Sequence, residues 1–562
     1  MSQIPSESRE DPRTEAEPPP GRKEWLGLVV LSLGLGMIVL DGTIVGVALP
    51  TIISDLDLDL SSAQWVNSLY AIVLAALLLS TGRLADRWGR RRLFLAGIVV
   101  FVGGSLLAAA SETGDALLVS RVVQGIGAAL IMPSTLSTVN ATFRGKYRAA
   151  AFGVWGAVIS GAAAIGPLVG GALTQYASWE WIFLVNIPVG LALFVFALIT
   201  VPETKGFKGG RGADVDGALL SAVGFGSLVF AVIQGPEIGW WKPKGDLQIL
   251  GFTWPETAPV SIIPVCFAIA AVSISLFVVW ERHRAKVRRS ALLDLDLFRV
   301  PTFSWGNLTA AMVAIGEFAI IFVLPLYLIN ALGFDTMEAG LVLAAMAIGA
   351  FFSGASARHL AARFGAASTV LIGLGLEIGG VVVLALVLTA TSPGWLIAAL
   401  LVVYGLGLGL ASAQLTGLVL RDVPTEISGQ GSATQSTVRQ IGSALGTALS
   451  GAALSVALAV TLPAALEKDG LTGESATRLA DSTRESAGST ISQLRTEGSS
   501  SQLGSATDTA VNSLASGFAD GTRISLLAAS VFLLLGFLGA LKVRLSVKAE
   551  DAAAAASDPD HS

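Results

Sequence analysis

Apolar runs long enough to cross a hydrocarbon layer, roughly 20 residues each, recur along almost the whole chain. They lie near 25–52, 65–84, 93–111, 116–138, 149–173, 181–201, 216–234, 258–280, 304–329, 339–361, 367–389, 394–419, 434–461 and 523–545. Polar residues gather in the short segments between them. This pattern predicts an all-α membrane protein of about fourteen transmembrane helices. Two stretches fall outside it. Residues 1–24, polar and rich in Pro and Glu, and the tail 546–562 read as disordered cytoplasmic tails. The first apolar run is too long for a signal-peptide core, so no cleavable leader is expected.

The charges orient the helices. Basic residues collect in alternate loops, as in Arg83, Arg87 and Arg90 to Arg92, then Arg144, Lys146 and Arg148, then Arg282 to Arg289. Arg358, Arg363, Arg421, Lys542 and Arg544 continue the series. Cytoplasmic loops carry the Lys/Arg excess. The expectation is therefore a multi-pass protein of the cell (inner or plasma) membrane with both termini in the cytoplasm. The long segment 463–521 lies on the other side, rich in Ser, Thr, Gly and Ala. It reads as a solvated or partly helical flap, with a lid over an exit path as the sharper alternative.

Composition agrees. Hydrophobic residues make up 53% and charged residues 14% of the chain, against about 25% charged in soluble domains. The net charge is −5 and the basic residues sit in loops, not on one face of a soluble domain, so nucleic acid is not an expected partner. The single cysteine, Cys266, lies in an apolar run and reads as packing. Phosphate-binding loops and metal-ligand clusters do not stand out, and the 3 histidines make zinc chemistry unexpected. No cofactor and no enzymatic activity are expected.

A weak repeat relates Arg83-Leu84-Ala85-Asp86-Arg87-Trp88-Gly89 to His359-Leu360-Ala361-Ala362-Arg363-Phe364-Gly365. Repeats of this kind imply two related halves that rock about a central site. The resulting division is a bundle of six helices over 25–205, an inserted transmembrane hairpin over 206–281, and a second bundle of six over 282–545.

Four motifs carry chemistry. In the first, Gly82, Asp86, Arg87, Gly89 and Arg90 set a carboxylate among arginines between glycines. Charge-assisted bonds there could latch one half to the other. In the second, Arg121, Gln124, Gly125, Ala128 and Met132 share a helix face, and an arginine inside a membrane usually faces a cavity and a partner. In the third, Asp41 stands within Leu40-Asp41-Gly42-Thr43. Its depth, roughly 24 Å along the first helix, is similar to that of Arg121, so an ion pair is feasible. A capping or packing role near a helix end fits that depth less well. In the fourth, Gly161, Gly166, Pro167, Gly170 and Gly171 permit close helix approach, with a kink at the proline.

Together these motifs, with Trp181 to Gly190 and Leu292 to Arg299, resemble the major facilitator superfamily. Within it they are most similar to the fourteen-span drug:proton antiporters. The resemblance covers nearly all of the chain except the tails and 463–521. It implies the major facilitator fold and identifies the Asp86 loop as an inner gate latch. It also implies that Arg121 lies near a proton-binding acid, and that the Gly-Pro motif marks antiporters. The family often has Asn where Gly46 stands.

Two further carboxylates lie near the midplane of their spans, Glu317 and Glu377, where a carboxyl suits proton binding and release. Glu377 has a structural alternative, since the resemblance places its helix peripherally. Arg439 reads as shallower, reaching the inner interface. Candidate substrate contacts are Gln64, Asn67, Tyr70, Trp155, Phe318, Phe322, Tyr327, Gln414 and Gln440, an aromatic and polar set suited to bulky lipophilic cations. The expected function is proton-coupled efflux of lipophilic or cationic drugs, driven by the proton gradient, by a monomer in contact with membrane lipids. Export of an endogenous lipid, siderophore or antibiotic, and a non-transporting receptor or scaffold, are the alternatives.

Overall fold

The computed structural model describes residues 20–56, 60–206, 214–249, 252–287, 289–501 and 503–556. The elements are α1 (Arg22–Asp55), α2 (Leu60–Trp88), α3 (Arg90–Ala109), α4 (Gly114–Thr142), α5 (Gly145–Tyr176), α6 (Trp181–Leu184), α7 (Asn186–Thr200) and α8 (Val215–Ile238). A short antiparallel pair follows, β1 (Leu247–Ile249) and β2 (Phe252–Trp254). Then come α9 (Ile262–Lys286), α10 (Pro301–Leu326), α11 (Thr336–Phe364), α12 (Ala366–Val387), α13 (Gly394–Val419) and α14 (Ser428–Lys468). The last are α15 (Glu474–Glu485), α16 (Ser489–Glu497) and α17 (Thr507–Ala556).

Among the described residues, 13 spans are long and apolar enough to cross a membrane, α6 and α7 together making one. Helix α5, of 32 residues, runs beside them against α1, α11 and α13 and makes the fourteenth. Apart from the short β1–β2 pair, the fold is the expected helical one.

Packing follows two parallel schemes. In one bundle α1 packs on α5 and α7, α3 on α4 and α7, and α2 on α4. In the other, α10 packs on α14 and α17, α12 on α13 and α17, and α11 on α13. Replacing each helix of the first scheme by its counterpart in the second reproduces the contacts, as the weak sequence repeat implies. The bundles meet along two crossed seams, α2 on α14 and α5 on α11. The hairpin α8–α9 stands outside both and leans through α8 on α2 and α14.

The outer surface is apolar where lipid would be. Leu191, Phe196 and Ile199 on α7 and Val272 and Val279 on α9 are all more than half exposed. In water such a surface would be an aggregation hazard, whereas against acyl chains it costs nothing.

Three expectations need correction. The polar segment is shorter than 463–521, because α14 continues to Lys468 and α17 begins at Thr507. What remains is largely helical. Ion pairs Arg478–Glu474 and Arg484–Asp481 line the exposed side of α15, while Ala480 and Thr483 are buried. Asn330 Nδ2 donates to Ala487 O at 3.0 Å, and Arg495 donates to Asn330 O and Ala331 O at 3.3 and 3.0 Å. These contacts, with those on α14 and α17, make the segment a cap on one bundle, not a lid across both. The tail predicted as disordered after 546 is helical to Ala556. Its Lys, Glu and Ala residues are good helix formers, and Val547 packs on the core. Finally, α14 starts at Ser428, not near 434, which moves Arg439 deeper.

Arg495 ties the cap to the turn after α10. Arg495→Ala should cost about 1–2 kcal/mol locally. Faster amide exchange in 469–506, with protection of α10 and α17 unchanged, is the expected result.

Candidate functional site

The deepest polar cluster is built around Asp41, whose side chain is fully buried. Thr113 caps α4 by accepting from Ala116 N at 3.3 Å, fixing the helix that carries Arg121. Arg121 Nη1 donates to Asp41 Oδ2 at 2.6 Å and to Gln124 Oε1 at 2.8 Å. Its Nε donates to Val66 O on α2 at 2.9 Å. Gln124 Nε2 donates to Asp41 Oδ1 at 3.0 Å and to Ser105 Oγ at 2.9 Å. Asn186, the first residue of α7 after the break at Val185, donates from Nδ2 to Asp41 Oδ1 at 2.9 Å. The Tyr70 ring lies 4.4 Å from the guanidinium carbon, a cation–π contact of high value where water is excluded.

The predicted pair of Asp41 and Arg121 is therefore brought together. Sequence reasoning gave Gln124 a place on that face but missed that Gln124 and Asn186 hold Asp41, and it missed Ser105. Polar side chains interrupting apolar runs were the available signal. Removing one partner of such a pair typically costs about 3–5 kcal/mol.

The glycine motif of α5 lies against the same stretch of α1. A Cβ at Gly166 would collide with the Thr43 side chain, and one at Gly170 would lie 3.0 Å from Ile44 O. These two glycines let α5 reach α1 just beyond Asp41. Gly161 has only Phe351 nearby, at 3.8 Å. Gly171 is half-buried on α5. Pro167 lies within α5, and its side chain is outside the described set.

The Asp86 loop joins the two bundles. Asp86 Oδ1 accepts from Arg90 Nη2 at 2.8 Å and from Gly429 N at 3.0 Å, and Oδ2 accepts from Gln430 N at 3.3 Å. A carboxylate of the first bundle thus sits on the N-terminus of α14 in the second, where helix amides favour an anion. Arg90 adds Nη2 to Thr425 O at 2.8 Å. Nearby, Asn140 Nδ2 donates to Ser428 Oγ at 2.9 Å and Arg148 Nη2 to Leu420 O at 2.7 Å. Gly82 is required because a Cβ there would collide with Ala433 and Gly429. Gly89 has φ +114° and faces the Glu203 carboxylate. Arg87 is exposed. The bundles are closed at this basic end.

In the second bundle, Arg439 Nη2 lies 3.2 Å from Glu317 Oε2. This corrects the shallow placement of Arg439. Residues Ser428–Ala433, ahead of the predicted span, are all buried within α14, so the helix starts earlier. The pair lines a void of about 10 Å³ with Gln435 and Thr416, room for about one water. Glu377 is fully buried between α12 and α13, and neither oxygen has a hydrogen-bond partner among the described residues. The hydrogen-bonding alternative for Glu377 thus finds no partner there. The Tyr404 hydroxyl is likewise unpaired.

The proposed substrate contacts scatter. Tyr70 belongs to the Asp41 cluster. Trp155 is buried against Phe152. Tyr327 is fully buried at the far end of α10 and donates to Thr389 O at 2.6 Å, a structural role. Gln414 is buried, while Phe318, Phe322 and Gln440 are half-buried. The side chains of Gln64 and Asn67 lie outside the described residues.

Two outcomes follow. Asn186→Leu removes one donor from a charged acceptor, at about 1.5–3 kcal/mol, and should lower the thermal unfolding midpoint, with a smaller effect for Ser105→Ala. Gly82→Val should push α2 off α14, so spin labels at the basic ends of these helices should report a longer distance than in the parent.

Residues 31–447 match the family described as the Major Facilitator Superfamily. The chain is 32% identical over 417 residues to the methylenomycin A resistance protein of Bacillus subtilis, covering 74% of this chain and 84% of that one. It is 31% identical over 448 residues to the multidrug resistance protein Stp of Mycobacterium tuberculosis, covering 80% and 79%. The human organic anion transporter MFSD10 (TETRAN) shares the fold, with TM-score 0.54 at 12% identity over 93% of this chain and 100% of that one. The match across most of its length, with two bundles of the corresponding fold, makes this chain a member of the Major Facilitator Superfamily, a multi-pass membrane transporter of small molecules.

Proposed function

We propose that this transporter is a proton-coupled exporter of lipophilic or cationic drug-like compounds, working by alternating access. The observation that carries the reading is the buried Asp41–Arg121 pair with its amide donors. A carboxylate kept inside a membrane at this cost is usually functional. The names of the relatives, which speak of resistance to methylenomycin A and to multiple drugs, support the choice of cargo and direction.

The basic end is taken as cytoplasmic from the Lys/Arg excess, so the latched state is closed inward. Asp41 lies in the half of α1 away from the latch, and on this reading a proton reaches it from outside when that half opens. Protonation removes the negative charge that faces Arg121. The pair then loses most of its attraction, and Arg121 shifts toward other acceptors. This weakens the packing of α1, α4 and α7 around Asp41 and favours the inward-open state. Cargo bound from the cytoplasm or inner leaflet favours release of the proton inward, so proton entry and drug exit alternate. Glu317, paired with Arg439 beside a water-sized void, serves as a second site for a proton or a cationic cargo, with buried Glu377 behind it.

The test uses reconstituted protein and a panel of lipophilic cations, reading internal pH and drug uptake into inside-out vesicles. Asp41→Asn keeps the size and one of the two acceptor oxygens but cannot cycle a proton. Its drug-driven proton movement should fall at least about tenfold, or 1.4 kcal/mol in rate terms. Uncoupler-sensitive export at the parent's level in Asp41→Asn would refute the assignment.

A further inference from the structure

The inserted hairpin α8–α9 ends, on the latch side, in a carboxylate cluster that neither the pair at Asp41 nor the latch at Asp86 uses. Asp214 caps α8: its Oδ1 accepts from Gly217 N and from Trp280 Nε1, each at 2.9 Å. Its Oδ2 lies 3.2 Å from Arg284 Nε. Glu281, on α9 and 1% exposed, accepts at Oε2 from the backbone N–H groups of Leu292 and Leu293, at 2.8 and 3.2 Å. Leu292 N also lies 3.2 Å from Asp214 Oδ2. Gly217 keeps the space open, since a Cβ there would sit 2.6 Å from Glu281 Oε1. Arg284 Nε donates to Ser290 O at 2.8 Å.

The bonds to Ser290 O and to the N–H groups of Leu292 and Leu293 hold the loop 289–294, and that loop lies on the gate. Leu292 and Leu293 are buried in one apolar cluster with Leu79 of α2 and Ala433 of α14. Those two helices form the seam that Gly82 brings together. Arg83 Nη2, from the first bundle, donates to Ser290 Oγ at 2.9 Å. On the other side, Asp294 N donates to Gln430 Oε1 at 2.8 Å. Gln430 N is itself a ligand of Asp86. The loop therefore bridges both bundles beside the latch, in a position set by backbone bonds to the hairpin.

We infer that the α8–α9 hairpin is a third element of the inner gate. Glu281, with Asp214, acts as a positioning residue that presses Leu292 and Leu293 over the α2–α14 seam and holds the latched state closed. The inference rests on the alternating-access reading, and specifically on the Asp86 latch, but on neither the cargo nor the coupling ion.

The test reads gate opening directly. Ser432 is fully buried, one helical turn beyond Ser428, the acceptor of Asn140 from the opposite bundle. A cysteine placed there by Ser432→Cys, in a Cys266→Ala background, becomes reactive to maleimide when the basic end opens. Asp86→Ala is the reference for an open latch. Glu281→Ala should raise the labelling rate by about fivefold or more, since both hydrogen bonds from the loop amides are lost. Glu281→Gln, whose amide oxygen can still accept from both amides, should stay within about twofold of the parent. Ser290→Ala, which removes only the bond from Arg83, should give a smaller rise and covers the case in which Glu281→Ala does not fold. A raised rate in Asp86→Ala with parental rates in Glu281→Ala and Ser290→Ala overturns the hairpin's role and leaves the latch standing. A parental rate in Asp86→Ala overturns the latch and this inference together.

Discussion

A carboxylate placed inside a membrane must be satisfied by the protein, because lipid offers it nothing. Asp41 meets that constraint with one guanidinium and two amides drawn from α4 and α7. Much of the first bundle is arranged to supply them. Gly104 lets α3 come close to α4 at Gln124, since a Cβ there would meet Gln124 N at 2.7 Å, and the neighbouring Ser105 accepts from Gln124. The break between α6 and α7 brings Asn186 inward. Val66 O and the Tyr70 ring hold the far side of Arg121. A change in the charge on Asp41 therefore touches α1, α2, α4 and α7 at once.

The two bundles share a packing scheme but not a chemistry. Gly89 and Gly365 both end a helix with positive φ, +114° and +83°, so the repeat survives in the backbone. The latch does not. Where the first bundle has Asp86, the repeat has Ala362, and no Cβ contact lies within 4 Å of Gly365. The second bundle contributes the other half of the lock, the free amides at the start of α14. An acid on one side and a helix N-terminus on the other make a contact that can break and reform as the bundles rock. Two identical acidic loops facing each other would repel.

Much of this was legible in the sequence. Length and apolarity set the number of spans, and the Gly-flanked loop announced the latch. The pair of Asp41 and Arg121 followed from matching their depths. What escaped notice had a common cause. Segments rich in small polar residues look like loops, yet Ser428–Ala433 is buried helix. In helix–helix seams Ser, Gly, Thr and Ala are the residues that permit close approach. Hydropathy alone ranks them as surface. The depth of Arg439, and with it the Glu317 pair, was misjudged for that reason. Asn186 and Ser105 were hidden differently: a single amide or hydroxyl in an apolar run carries no partner's name until the fold brings Asp41 beside it.

Helix α14 connects these features. It runs without a break for 41 residues, about 60 Å. Its first turn receives Asp86, and its next turn packs Ala433 against Gly82 and the Leu292–Leu293 loop. Arg439 follows at Glu317, and the far end passes into the cap on α10 and α17. The cap holds that far end to the second bundle, so freedom gained at the latch appears mainly as motion of the near end. Arg439 lies about three turns from the start, close enough to move with it. On the proposed alternating-access cycle, opening the basic face would disturb the Glu317 pair without any separate signal. By reciprocity, whatever weakens that pair also changes the stability of the closed gate.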